Sequence, residues 1–340
     1  MSAKQKISIL GSGSWGNTLA CHFSKNFEVL LWDYKAERVK QREVDRKFDR
    51  PEEGKYPENV IFSSDLKEAM LFSDHIFSVV PLKGIPSLVQ KMKELSQTVS
   101  LNGKVLINCA KGIDFTTLKT PAEIFNEVFK EFKLDIKVAA LAGPNLAKEF
   151  LDGKPMISTL ACEDLDIATE LQHLFTCNRF RLYATNDLIG VEFCSALKNV
   201  IAIAAGAADG LELGASAKAS LITRSLHELR ELVKLKGGSD ETLYTAAGLG
   251  DLIATCNSPL SRNYRVGYFL AQGLNLEEIA EKLNSVSEGV NTAFALEALN
   301  LQNDLRIPIC LEVAKMLHGS KTPVEVVETL MSRKPREAVS

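Results

Sequence analysis

Short apolar runs alternate with helical patterns through the first half of the chain. The segments KISIL, EVLLW, NVIF, HIFSVV, KVLINCA and KVAALAG read as strands, and several are apolar throughout, as expected of strands covered on both faces. Between them, IPSLVQKMKELSQTV and PAEIFNEVFKEF carry apolar residues at helical spacing. Strand, helix, strand repetition predicts an α/β, Rossmann-like domain with a mainly parallel sheet and right-handed crossovers. After about Asp187 the strand-like runs stop, and LIGVEFCSALKNVIAIAAGAADG, SAKASLITRSLHELRELVKL, LSRNYRVGYFLAQG and NTAFALEALNLQ all follow a helical period. An all-α second domain is expected, with residues 1–187 in the first domain and 188–340 in the second.

Composition narrows the class. With 340 residues, 46% of them hydrophobic, the chain can fill more than one core. A net charge of −3 supplies no field that would draw nucleic acid or an anionic membrane. The N-terminal apolar run ends after Leu10, and Val200 to Ala208 is well short of the roughly 20 residues that cross a bilayer. A soluble protein with no membrane span is therefore expected. Seven cysteines, an odd number without a CxxC pair, suit reduced thiols in a cytosol.

Candidate chemistry begins at KISILGSGSWGNTLA, where Gly11, Gly13 and Gly16 form G-x-G-x-x-G between a strand and a helix. The first glycine allows a tight turn, the second admits a pyrophosphate, and the third lets helix and strand pack closely. The helix start then offers free N–H groups and a positive dipole end to phosphate. Asp33 closes the second strand, in EVLLWD, where a carboxylate can accept hydrogen bonds from an adenosine ribose and favour NAD. Tyr34, Lys35 and Arg38 follow, and a cation there could hold a 2′-phosphate, so NAD and NADP both stay open.

Open parallel sheets collect ligands at the carboxyl ends of their strands. Those ends read GSGSWG, SVVPLKG, NCAKG and LAGPN. Lys111 in CAKG is placed either for a substrate oxygen or as a solvated loop lysine. In AGPNLAKEF, Gly143 and Pro144 precede Asn145, which could cap the next helix or help present N–H groups to an anion.

In the helical half, TAAGLGDLIATC sets Asp251 between a glycine pair and an apolar run, as a helix cap or as partner to a buried lysine. SPLSRNYRVGYF makes Ser261 a cap, with Arg262 and Asn263 in the first turn, either a phosphate site or simply a well-capped surface helix. On a helical wheel Glu192, Ser195, Lys198, Asn199 and Ala202 share one narrow stripe on an otherwise apolar helix. Such a seam suits an interdomain cleft. Burial would penalise the Lys198 ammonium and a nearby carboxylate would favour it, which is how a lysine is tuned for proton transfer; a snorkelling lysine is the plainer possibility. No H-E-x-x-H, Cys/His cluster or G-x-S-x-G occurs, so no metal site and no acyl-transfer serine are expected. His22 is expected to pack inside the first helix.

Seven segments, GSGSWGNTLA, CAKGI, AGPNLAKE, ALKNVIAIAAGAADG, AGLGDLIATC, SRNYRVG and SEGV, run almost end to end along the chain. In this order the sequence resembles the NAD(P)-dependent glycerol-3-phosphate dehydrogenases of the bacterial soluble type. The resemblance implies reversible hydride transfer between NAD(P)H and dihydroxyacetone phosphate, giving sn-glycerol 3-phosphate for glycerophospholipid synthesis, in a cytoplasmic homodimer. It implies that Lys198 is the catalytic acid and base, that Lys111 contacts substrate and nicotinamide, and that Asp251 pairs with Lys198 and substrate. Gly143 and Asn145 would belong to the substrate site and Ala147 to the cofactor site. Ser261, Arg262 and Asn263 would hold the substrate phosphate, with Arg262 also touching the dinucleotide. Ser14, Trp15, Val286 and Glu288 match cofactor positions. Three departures stand out: Trp15 for a tyrosine or phenylalanine, Asn145 for a serine or threonine, and Tyr34 for the arginine of a W-x-R pattern. A related 3-hydroxy acid or sugar-acid dehydrogenase would share the layout without needing the SRN turn. A non-catalytic dinucleotide sensor would need neither Lys198 nor Asp251.

Overall fold

The computed structural model describes residues 4–283 and 287–334. They divide into two compact units, Met1–Lys111 with Thr120–Glu192, and Gly112–Lys119 with Phe193–Ser340.

The first unit is built on strands β1 (Lys6–Leu10), β2 (Glu28–Trp32), β3 (Lys47–Phe48), β4 (Gly54–Lys55), β5 (Val60–Ser63), β6 (His75–Ser78), β7 (Lys104–Asn108), β8 (Ile136–Ala142), β9 (Met156–Cys162) and β10 (Phe180–Thr185). Eight form one sheet in the order β10-β9-β8-β7-β6-β1-β2-β5, while β3 and β4 make a separate small ribbon. Every pairing in the large sheet is parallel except β8 with β9. The six strands legible in the sequence are β1, β2, β5, β6, β7 and β8. Strands β9 and β10 are additions, because MISTLAC carries Ser158 and Thr159 inside its buried run and FRLYAT has alternating exposure along the sheet edge.

Helices α1 (Ser14–Phe23), α2 (Ala36–Asp45), α3 (Leu66–Phe72), α4 (Ile85–Ser96), α5 (Pro121–Glu131), α6 (Ala147–Leu151) and α7 (Leu165–Phe175) complete this unit. Its core centres on Phe23, Phe77 and Phe175, whose rings lie 5.0 to 5.3 Å apart in tilted and edge-on pairs. His22 packs its ring on Phe150 and Phe180, and burial drives its pKa down to about 4, so it is a neutral, half-buried packing residue near pH 7.

Helix α8 (Leu188–Gly210) carries the chain from the first unit into the second. There follow α9 (Gly214–Leu235), α10 (Asp251–Asn257), α11 (Arg262–Ala271), α12 (Leu276–Leu283), α13 (Glu288–Asn303), α14 (Pro308–Leu317) and α15 (Pro323–Met331), so the unit is helical as expected. By length and composition α8 could cross a bilayer, but 89% of its most apolar window is buried within the protein. It is the core helix of the unit. A Cβ added to Gly267 of α11 would stand 1.7 Å from the Ile203 carbonyl oxygen, so the glycine is what lets these two helix backbones touch. All seven cysteines are free thiols. Burial raises Cys109 and Cys256 to about 12, which keeps both protonated and unreactive.

Candidate active site

The glycine loop leaves β1 at Gly11, whose φ of +112° is open to glycine alone. At Gly16 a Cβ would lie 1.9 Å from the Gly11 carbonyl oxygen, so the third glycine is required for α1 to start against the strand. At Gly13, the cap residue of α1, a Cβ would meet no other heavy atom within 4 Å. That open backbone and the helix start behind it, with Ser14 and Trp15 half-buried in the first turn, fit a dinucleotide pyrophosphate. Strands β1, β2, β6, β7 and β8 run in one direction, so Gly11, Asp33, Lys111 and Gly143 all follow carboxyl ends on one edge of the sheet.

Asp33 is 2% exposed. Its Oδ1 accepts the Lys35 N–H at 3.0 Å, and its Oδ2 accepts the Arg38 and Arg42 guanidinium groups at 2.8 and 3.1 Å together with the Ser12 hydroxyl. Burial alone would raise its pKa, but the hydrogen bonds from Ser12, Lys35 and Arg38 hold it below the ordinary carboxylate value. Both cations are thus already committed to Asp33, whereas Tyr34 points outward at 65% exposed. Arg42 was not singled out from the sequence; its three-residue spacing from Val39, the other buried position of α2, is the signal that marks it.

Lys111 is half-buried and donates to the Gly143 carbonyl at 3.3 Å, so two expected site residues meet here. Its backbone is fixed from the strand side. Asn108, at the end of β7, accepts the Ala110 N–H at 3.0 Å and donates to the Ala110 carbonyl at 2.9 Å. Asn145 differs from expectation. Helix α6 takes Leu146 as its cap residue without a side-chain cap, and the Asn145 Oδ1 instead accepts the Ser158 hydroxyl at 2.7 Å from β9. The turn places the side chain over the neighbouring strand, out of reach of the helix start. Ala147 opens α6, where its carbonyl receives the Thr18 hydroxyl at 3.4 Å.

In the helical unit the polar stripe of α8 is buried throughout, with Lys198 at 7% and Asp251 at 2% exposed. Lys198 Nζ donates to Asp251 Oδ1 at 3.0 Å and to the Thr255 hydroxyl at 2.8 Å, and Thr255 in turn reaches Asp251 Oδ1 at 3.2 Å. Asp251 is therefore the lysine's partner and not a cap: a single π-turn, Ala246–Gly250, runs straight into α10 and leaves Gly250 in the cap position. Thr255 escaped the sequence reading, although it lies one helical turn beyond Asp251 on the same face.

The SRN turn starts α11. Ser261 caps it by accepting the Tyr264 N–H at 3.3 Å, Arg262 is exposed in the first turn, and Asn263 is buried. The Asn263 amide donates to Asn199 at 2.8 Å, while its oxygen accepts the Gly289 N–H at 3.0 Å and the Ser287 hydroxyl. Asn263 thereby clamps α11 to α8 and to the start of α13, where Glu288 is the first helical residue. Val286 lies outside the described residues.

A glycine-loop sheet unit and a helical unit with a buried, carboxylate-paired lysine fit the class of nicotinamide-dependent oxidoreductases. Comparison with known proteins supplies the family. The NAD-dependent glycerol-3-phosphate dehydrogenase N-terminus matches residues 6–168 and the corresponding C-terminus matches residues 187–328. Glycerol-3-phosphate dehydrogenase [NAD(P)+] of Aromatoleum aromaticum is 39% identical over 97% of this chain and 99% of its own length. That of Synechococcus sp. is 37% identical over 97% and 96%. The crystal structure of glycerol-3-phosphate dehydrogenase from Coxiella burnetii superposes with a TM-score of 0.87 at 33% identity, covering 97% of this chain and 99% of that one. The chain belongs to the NAD-dependent glycerol-3-phosphate dehydrogenase family and is an NAD(P)-dependent enzyme.

Proposed function

We propose that the chain transfers a hydride reversibly between NAD(P)H and C2 of dihydroxyacetone phosphate, giving sn-glycerol 3-phosphate for glycerophospholipid synthesis. The observation that carries this reading is the buried Lys198, held by Asp251 and Thr255 on the polar seam of α8. Residues 1–187 supply most of the dinucleotide site, and 188–340 carry the acid and the phosphate site. When bound, the nicotinamide supplies the hydride.

The protein's own groups manage charge and position. As hydride reaches C2, negative charge grows on the carbonyl oxygen; the Lys198 ammonium stabilises it and delivers one proton, which returns to Lys198 in the reverse reaction. Asp251 and Thr255 fix the direction of Nζ. Lys111 adds a second cation beside the reacting oxygen and nicotinamide, with Gly143 and Asn145 shaping that side. Ser261, Arg262 and the α11 start bind the phosphate, which fixes the carbon presented to the hydride. Asn263 holds that helix start in place. Gly11, Gly13, Ser14, Trp15, Gly16, Ala147 and Glu288 line the cofactor's path, and Arg262 also reaches the dinucleotide. Asp33 gathers Arg38 and Arg42 at the ribose end of the cofactor's path, where a carboxylate suits NAD and a guanidinium suits NADP, so the enzyme takes either dinucleotide. The enzyme acts as a cytoplasmic homodimer.

The test compares NADH oxidation with dihydroxyacetone phosphate, unphosphorylated dihydroxyacetone and 3-oxo acids. The proposal expects kcat/KM for the phosphate ester to exceed the others by at least about a hundredfold. Equal rates with an unphosphorylated ketone, or no oxidation of NADH at all, would overturn it.

A further inference from the structure

The sheet unit holds one buried carboxylate that the reaction does not use. Glu192 sits near the start of α8 and is nearly inaccessible to solvent. Its Oε1 accepts the Asn108 side-chain amide at 2.7 Å and its Oε2 accepts the Ala122 N–H at 2.8 Å, while the Thr120 hydroxyl supplies a further hydrogen bond. These partners stand at the two ends of the segment 109–119. Asn108 ends β7 before it, and Thr120 and Ala122 begin α5 after it. Lys111 lies just inside the first end.

We infer that Glu192 is a positioning residue for Lys111, acting through Asn108, an inference that rests on the role proposed for Lys111 in catalysis. Asn108 has two amide protons and both are spent, one on Glu192 and one on the Ala110 carbonyl; its oxygen accepts the Ala110 N–H. The carboxylate determines which way the amide faces, and the amide fixes both polar backbone groups of the residue before Lys111. The Cys109 N–H is tied to the Ser78 carbonyl at 2.9 Å, so the chain enters Lys111 from an anchored strand end. The ammonium then meets the Gly143 carbonyl at 3.3 Å.

A second buried glutamate shows what a purely structural version of this device looks like. Glu228 spends both oxygens on one helix start, accepting the Ile309 N–H at 2.7 Å and the Cys310 N–H at 3.0 Å. Both glutamates serve helices that begin with proline, α5 at Pro121 and α14 at Pro308, where one backbone donor is already missing. Glu192 gives only one oxygen to such a helix. Its other oxygen is directed to the Asn108–Ala110 turn, which no capping function requires. Burial pushes Glu192 up to about 7 against the pull of its Thr120, Ala122 and Asn108 hydrogen bonds, with the like charge of Glu123 also raising it. A carboxylate kept at that cost in place of a neutral amide suits a position where each hydrogen-bond partner, Asn108, Thr120 and Ala122, is a donor.

The experiment is a double-mutant cycle on the full-length enzyme, with thermal midpoints measured alongside. Lys111→Ala alone tests the underlying role: if it leaves kcat unchanged, the Lys111 assignment fails and the inference goes with it. Given a loss there, Glu192→Gln, which turns an NH2 toward donors, is expected to lower kcat by about tenfold with the KM for NADH unmoved. Added to Lys111→Ala, it is expected to cost nothing further. Should Glu192→Gln not purify folded, Asn108→Ala breaks the same link from the other side and carries the same expectation in the cycle. Losses that multiply with Lys111→Ala, or a folded Glu192→Gln or Asn108→Ala enzyme with lowered thermal midpoint and full kcat, would overturn the inference while leaving Lys111 in its catalytic role.

Discussion

Lys198 and Lys111 are the two lysines proposed to act in the reaction, yet the protein holds them by opposite means. Lys198 is buried in the helical unit and anchored at its charge, by Asp251 and Thr255. Lys111 is half-buried at a strand end in the sheet unit and anchored from its backbone, through the Asn108 turn, with a carbonyl touching its ammonium. A buried ammonium without a carboxylate would be severely destabilising, so position and stability are inseparable at Lys198. At Lys111 they can be separated. The contrast teaches that a charged group's environment decides whether losing it costs the fold, the chemistry, or both.

Asp251→Asn should break the first arrangement outright. With the ammonium left to Thr255, kcat is expected to fall by about a hundredfold or more, and stability by about 3 kcal/mol, measured by turnover and by denaturant unfolding. Lys111→Ala should reproduce much of the loss in kcat/KM, about a hundredfold, while the unfolding midpoint barely moves. An equal loss of stability in both variants would erase the distinction. Asp33→Ala sharpens it from the cofactor side: released from the carboxylate, Arg38 and Arg42 are expected to move the NADPH-to-NADH ratio of kcat/KM upward by about tenfold, with kcat for NADH much less affected.

Glu228→Gln should have the smallest effect on turnover, none at neutral pH, because nothing near Glu228 reaches the proposed chemistry. Its effect is on stability and depends on pH. Burial raises this carboxyl from 4.5 to about 7 in the folded protein. A group whose folded pKa is raised contributes fully below its unfolded value, and that contribution is lost as pH rises through the folded value. Relative to the neutral glutamine variant, the parent is therefore expected to lose about 3 kcal/mol between roughly pH 4 and pH 8. Unfolding curves at the two pH values measure it, and a constant gap would contradict it.

The fold was readable wherever one physical requirement dominated. Gly11 and Gly16 announce themselves because a turn and a close helix contact exclude other residues, while Gly13 between them leaves open backbone. Strands buried on both faces were continuous apolar runs, whereas β9 was hidden by hydroxyls that find partners inside, such as Ser158 with Asn145. Site residues were legible as isolated charges in apolar sequence, and Lys198 and Asp251 were suspected on that ground. Their partners were not. Thr255, Asn108 and Arg42 are ordinary residues on ordinary elements, and only the chain's folding brings Thr255 and Asn108 to groups far away in sequence and Arg42 back over the end of β2. Asn145 shows the converse: its sequence position fits a cap, but the turn after Gly143 directs it to β9.

The most direct test of Lys198 as the acid is turnover of dihydroxyacetone phosphate by a folded Lys198→Ala enzyme, assayed with and without added methylammonium. The account predicts a fall in kcat of about a thousandfold, partly reversed as the added amine takes the place of the missing ammonium beside Asp251. A folded Lys198→Ala enzyme that turns over at the parent rate, or within a few-fold of it, would contradict the assignment.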